Sequence, residues 1–87
     1  MRHHATEAFW TCYADLPAPV REIADRNFRL LKADPDHPSL HFKKIGRFRS
    51  VRVGASWRAL AVQQNDDIVW FWIGSHADYD KLLRSRV

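Results

Sequence analysis

The chain has 87 residues, 46% of them hydrophobic with four Trp and five Phe, and a formal net charge of +4 from fourteen Lys and Arg against ten Asp and Glu. That length admits one domain, residues 1–87, with a single modest core, and the apolar and aromatic content excludes a disordered chain. The lone Cys12 excludes an internal disulfide, no apolar run approaches membrane-spanning length, and Gly46, Gly54 and Gly74 form no phosphate-binding loop, so no nucleotide cofactor is expected.

Met1 to Glu7 lacks the apolar segment of a signal peptide, and together with the single cysteine this predicts a reducing cytoplasm. His3 and His4 read as terminal or packing residues, and no metal site is expected. Thr6 can cap a short helix with Phe9, Tyr13 and Leu16 on one face and Cys12 in the core, and Pro17 ends it. Pro19 suits the first turn of a second helix, where Val20, Ile23, Ala24, Phe28 and Leu31 follow the i, i+3, i+4 pattern. Its opposite face, with Arg21, Glu22, Asp25, Arg26, Arg29 and Lys32, reads as solvated. Asp34-Pro35-Asp36-His37-Pro38 combines turn formers with residues that resist helix, so the helical half ends there.

The remainder reads as sheet. Phe42 to Ile45 is a short basic strand, Gly46-Arg47 a turn, and Phe48 to Val53 a strand with Val51 and Val53 inward and Arg52 outward. Gly54-Ala55-Ser56 breaks it before a strand over Trp57 to Val62, and Gln63 to Asp67 is a polar hairpin loop. Ile68 to Ile73 is apolar on both parities, as expected of a strand covered on both faces, with Trp70 and Trp72 together on one side and Phe71 on the other. Asp78 to Arg84 can form a last short helix with Leu82 and Leu83 available for packing. The predicted fold is α+β: an N-terminal helical hairpin on a small antiparallel sheet, with a short C-terminal helix.

Charge is unevenly spread. Between Asp36 and Asp66 there is no acidic residue, yet Lys43, Lys44, Arg47, Arg49, Arg52 and Arg58 all fall there, leaving eight basic against ten acidic residues elsewhere. Placed on strands, these cations predict one basic sheet face, the electrostatic footprint of a domain that meets nucleic acid or the ribosome.

Several segments in order resemble the RelE/ParE superfamily of bacterial type II toxin–antitoxin systems. They are Leu16-Pro17 ahead of an amphipathic helix, Leu30-Leu31-Lys32-Ala33-Asp34-Pro35, Ser39-Leu40-His41-Phe42-Lys43-Lys44, Ser50-Val51-Arg52-Val53, Trp57-Arg58-Ala59-Leu60 and Ile73-Gly74-Ser75-His76. The resemblance implies neutralisation by a cognate antitoxin in a toxin–antitoxin hetero-oligomer, and often metal-independent cleavage of mRNA on the ribosome. Family members usually begin with a strand ahead of the hairpin, whereas Arg2 to Thr6 has little strand character, so the sheet is expected to lack it and to expose an edge.

Metal-free RNA cleavage needs a base for the ribose 2′-hydroxyl, positive charge for the phosphorane-like transition state and an acid for the leaving oxygen. Arg52 and Arg58 match basic strand positions of the family and are the candidate charge stabilisers, the alternative being solubilising surface charge. Arg58 alternates with Leu60 and Val62, so either those two lie on the open face or Arg58 stands at a frayed strand start. His76 and Tyr79 are the candidate proton-transfer groups, Tyr79 alternatively stacking on a base. Lys43, Lys44, Arg47 and Arg49 are candidate substrate-binding residues, and of the two lysines only one can line a given face. Two other functions stay open: inhibition of DNA gyrase, from the other branch of the superfamily, and a non-catalytic binding module on the same fold.

Overall fold

A computed structural model describes residues 1–86. The chain runs β1 (Arg2–Ala5), α1 (Glu7–Ala14), α2 (Ala18–Ala33), a single 3₁₀ turn (Pro38–Leu40), β2 (Lys43–Ile45), β3 (Phe48–Val53), β4 (Trp57–Gln64), β5 (Asp67–Ser75) and α3 (His76–Arg86). The strands form one sheet in the order β1-β5-β4-β3-β2, antiparallel except for the parallel β1–β5 pair.

Local chemistry sets the helix boundaries. Thr6 Oγ1 accepts the Phe9 N–H at 3.1 Å and so satisfies a donor that the first turn of α1 cannot. Pro17 separates the helices, and Pro19 sits in the first turn of α2 where its missing N–H costs nothing. The expected apolar row of α2 faces the sheet, with Val20 and Leu31 buried and Ile23 and Ala24 packed beside them. Enclosing the Leu31 side chain alone contributes roughly 2 kcal/mol.

The sheet is covered on both faces. Leu16, Val20, Leu31 and Leu40 pack on Val51, Val53, Ala59, Ala61, Ile68, Trp70 and Ile73 on one side. On the other, Tyr79 of α3 joins Phe48 and Leu60 in a second cluster with Val62, Phe71, Trp72, Leu82 and Leu83 around it. The Tyr79 hydroxyl, buried with its ring, lies 2.9 Å from Ser50 Oγ, so the two satisfy each other beneath the helix.

Four sequence expectations change. Arg2–Ala5 is a strand after all, its weak propensity outweighed by backbone pairing with β5 and by side-chain contacts to Asp66 and Asp67. Trp70 and Trp72 lie on opposite faces, because a register shift at Leu60/Ala61 leaves Phe71 as an extra residue in β5. The face expected to stay open and basic is largely occupied by α3, which starts at His76 and is longer than the sequence suggested. This also settles the alternation around Arg58: Leu60 and Val62 do share its face and are covered by α3.

The two N-terminal helices leave a gap. Between α1 and α2 an apolar cleft of about 250 Å³ reaches the sheet, walled by Phe9, Trp10, Tyr13, Ala24, Phe28 and His3. Trp10 and Phe28 at its mouth are 54% and 38% exposed. Tyr13 donates its hydroxyl to Asp25 at 2.8 Å across the gap, which raises the tyrosine pKa.

His3 forms part of this wall. Its Nδ1 accepts the Trp70 indole N–H at 3.1 Å, and its ring lies edge-on to Phe28. That bond requires an unprotonated Nδ1. Burial foremost, then the N-terminal amine, Lys32 and His4, lower the His3 pKa.

Two outcomes are expected. A histidine with a lowered folded pKa contributes stability that is full above its unfolded value of 6.5 and is lost as pH falls below that, because there the unfolded chain binds the extra proton. His3→Gln should flatten this decline in urea melts followed by Trp fluorescence. It should leave untouched the separate loss below about pH 4 from Asp67, whose carboxyl is held low chiefly by the His4 hydrogen bond. Gly74→Ala should destabilise by about 1–3 kcal/mol in the same melts, since a Cβ there would stand 2.6 Å from Trp72 Cζ2.

Candidate functional site

Strands β3 and β4 pair so that Arg52 stands directly opposite Arg58, and Arg58 in turn faces Gly74 of β5. Like charges in that position repel, so something must hold them. Arg52 Nε donates to the Gly54 carbonyl at 2.9 Å, and Gly54, at φ +63°, turns the chain in a way other residues resist. The Asn27 amide donates to the Arg52 carbonyl at 3.2 Å and so ties α2 to the same residue. Arg58 Nη1 donates to the Trp57 carbonyl at 2.9 Å. Among the described residues neither guanidinium has a carboxylate within ion-pair distance, so neutral carbonyls orient the two charges without cancelling them.

Two histidines lie at this end of the sheet. His76 opens α3, and its backbone N–H donates to the Ser56 carbonyl at 2.8 Å, which fixes it at the end of the sheet where β4 begins. Ser75 Oγ accepts the Asp78 N–H and caps the helix. The His76 ring is about half exposed, with Nδ1 3.3 Å from Asp80, so Nε2 is its free nitrogen. His41 Nε2 lies 3.5 Å from Arg52 Nη1. His41 has a left-handed backbone, φ 46°, at the end of the 3₁₀ turn, a conformation uncommon for histidine. Sequence reasoning passed over His41. Its only signal was its place two residues before β2, the strand that pairs with the one carrying Arg52.

The remaining candidates separate. Lys43 shares the Ser50 face with Arg52 and is exposed. Tyr79 is only 5% exposed and its hydroxyl is engaged with Ser50, so its ring is not open to a base and it anchors α3. Lys44 and Arg49 pair on the helical-hairpin face, and with Arg47 they gather near the β4–β5 turn, away from Arg52 and Arg58. The single basic face expected from sequence is therefore two clusters on opposite faces. Among the described residues no three His, Cys, Asp or Glu side chains converge as metal ligands, and no helix is long and apolar enough to cross a membrane.

The geometry matches known folds. The chain is similar to the RelE toxin in the RelB–RelE antitoxin–toxin complex of Methanococcus jannaschii, with TM-score 0.72 and 14% identity over 91% of this chain and 96% of that one. It is similar to a YoeB/ParE toxin from Agrobacterium tumefaciens, with TM-score 0.64 and 16% identity over 87% and 99%. Isolated Escherichia coli RelE gives TM-score 0.63 and 10% identity over 99% and 98%. At these identities the likeness establishes the fold. No curated protein matches by sequence. A profile of the ParE-like toxin domain matches residues 19–81, from the start of α2 into α3, and so takes in Arg52, Arg58 and His76. The chain belongs to the ParE-like toxin family, within the RelE/ParE toxins of toxin–antitoxin systems.

Proposed function

We propose that this toxin is a ribonuclease that cleaves mRNA on the ribosome without a metal ion and so arrests translation in the cytoplasm. The observation that carries the reading is the Arg52–Arg58 cross-strand pair, which among the described residues has no carboxylate within ion-pair distance, with the His41 imidazole beside Arg52 and His76 opening α3 at the same end of the sheet. Two guanidiniums can grip the non-bridging oxygens of a phosphodiester in bidentate fashion and stabilise the added negative charge of a phosphorane. His76, with Nδ1 held by Asp80, offers Nε2 to take the 2′-hydroxyl proton. His41 Nε2 can only accept from Arg52 Nη1, so Nδ1 is the nitrogen that would carry a proton to the leaving 5′-oxygen, a task for which the sequence offered His76 and Tyr79. Lys43 extends the positive surface along the same face.

A second reading has its own support, since the matching family is described as ParE-like. In the gyrase-inhibiting branch, the same charged end of the sheet would bind without cleaving. The RelB–RelE complex among the similar structures supports a protein antitoxin as the physiological partner.

Purified protein on programmed ribosomes should cut mRNA, and Arg52→Ala should slow cleavage by at least about 100-fold with the melting temperature little changed. His76→Ala should slow it by about 100-fold and remove one limb of the pH–rate profile. Tyr79→Phe should leave the rate within about two-fold while lowering stability by about 1 kcal/mol, the net value of its bond to Ser50. Uncut mRNA with wild-type protein would refute the nuclease reading. DNA damage in expressing cells while translation continues would establish gyrase inhibition instead.

A further inference from the structure

The second basic cluster is a site in its own right. Lys44 of β2, Arg47 of the β2–β3 turn and Arg49 of β3 line one concavity with Gln63 of β4 and Asn65 of the β4–β5 turn. Lys44 and Arg49 are cross-strand partners, so two like charges are held face to face, an arrangement that costs stability unless an anion lies between them. Among the described residues none of the three cations has a carboxylate within ion-pair distance. The acids nearest in sequence to the β4–β5 turn are engaged elsewhere. Asp66 sits 3.5 Å from the N-terminal amine, and Asp67 is 2.8 Å from Arg2 Nε and 3.1 Å from His4 Nε2. Met1, Arg2 and His4 thus engage both carboxylates.

The cations are also held in position. The Arg49 guanidinium lies 4.2 Å over the Phe42 ring on the hairpin side, whereas Arg47, in the β2–β3 turn at the sheet's end, lies 5.3 Å over Phe48, which belongs to the α3 side. Arg49 Nη1 reaches Gln63 Oε1 at 3.4 Å, while its Nε is buried with no partner at all.

We infer that Lys44 and Arg49, on the face opposite Arg52 and Arg58, together with Arg47 of the adjoining turn and the Gln63 and Asn65 amides, form a second phosphate site that holds the backbone of a nucleic-acid strand. The composition selects a phosphodiester backbone over an acidic protein segment. Every lining residue is polar or charged, with no exposed apolar anchor of the kind on which protein interfaces centre, and backbone recognition needs none. Planar guanidiniums stacked on rings match phosphate oxygens, and the amides add neutral donors. Because Arg49 alternates with Val51 on the hairpin side, one short phosphodiester segment does not meet both clusters. A structured RNA, or two stretches of one strand, would.

The inference rests on the reading that this toxin works on nucleic acid, but its test reads binding and not cleavage. Binding of the full chain to a single-stranded 2′-O-methyl RNA, which has no free 2′-hydroxyl to react, is measured across a salt series. Removing three phosphate contacts, as in K44Q/R47Q/R49Q, should flatten the slope of log affinity against log salt by about 2. The exposed pair Lys44→Glu with Arg47→Glu, which leaves the Arg49–Phe42 stack in place, should flatten it by at least about 1.4 and covers the case in which the triple variant unfolds. R52A/R58A should lower the slope further and additively when combined with that pair. Wild-type slopes in both basic-cluster variants would overturn the assignment. So would polyglutamate of equal charge displacing the RNA as effectively as unlabelled RNA does, since the cluster would then serve an acidic protein. A folded protein that binds in this way yet never cleaves RNA would refute the nuclease reading and leave the second site standing.

Discussion

The architecture depends on one extra residue. Phe71 interrupts the β4–β5 register, so β5 sends Trp70 under the helical hairpin and both Phe71 and Trp72 under α3. Without that shift, both tryptophans would fall on one face and the other would have too little apolar surface to seat a helix. A small domain gains much of its stability from large aromatic area, and the bulge divides that area between two cores. Trp72 then lies flat across Gly74, whose missing Cβ is what permits it, and Gly74 is the residue that Arg58 faces. The packing that attaches α3 therefore also shapes the ground beside the arginine pair.

Electrostatics in this chain follow from the same topology. Strand β1 occupies the sheet edge beside β5 and binds Asp66 and Asp67, α3 sets Asp80 against His76, and the six cations of the acid-free window are left without carboxylates among the described residues. Their repulsion is borne by backbone carbonyls and aromatic rings. Such a surface is costly in isolation and favourable against a polyanion, which is the physical content of the functional reading.

Much of the fold was legible because its signals are local. Pro17, Pro19 and the Val20 to Leu31 spacing mark α2, and the alternation of Val51, Arg52 and Val53 fixes which side of β3 each presents, as the structure bears out. What escaped depends on distant partners. Arg2 to Ala5 is a strand only because β5 lies beside it, and Leu82 and Leu83 do not announce which face they will cover. Strict alternation also failed at Phe71, because a bulge has no signature in an all-apolar run. In the candidate site, residue type and strand position singled out Arg52 and Arg58, and the structure pairs them across β3 and β4. The burial of Tyr79 was not legible because it depends on where α3 lands, and the approach of His41 to Arg52 was not because it comes from a turn geometry that side-chain pattern does not encode.

The parallel pairing of β1 with β5 joins Arg2 to Asp67, so the first strand synthesised has no partner until the last one exists. Contacts this far apart in sequence carry a large loop-closure cost and form late in folding. While the chain is still emerging, α1 and α2 have no sheet to cover, and the arginine pair and His76 are not yet assembled at one end of it. Assembly of that end of the sheet thus waits until β5 and α3 have both been made.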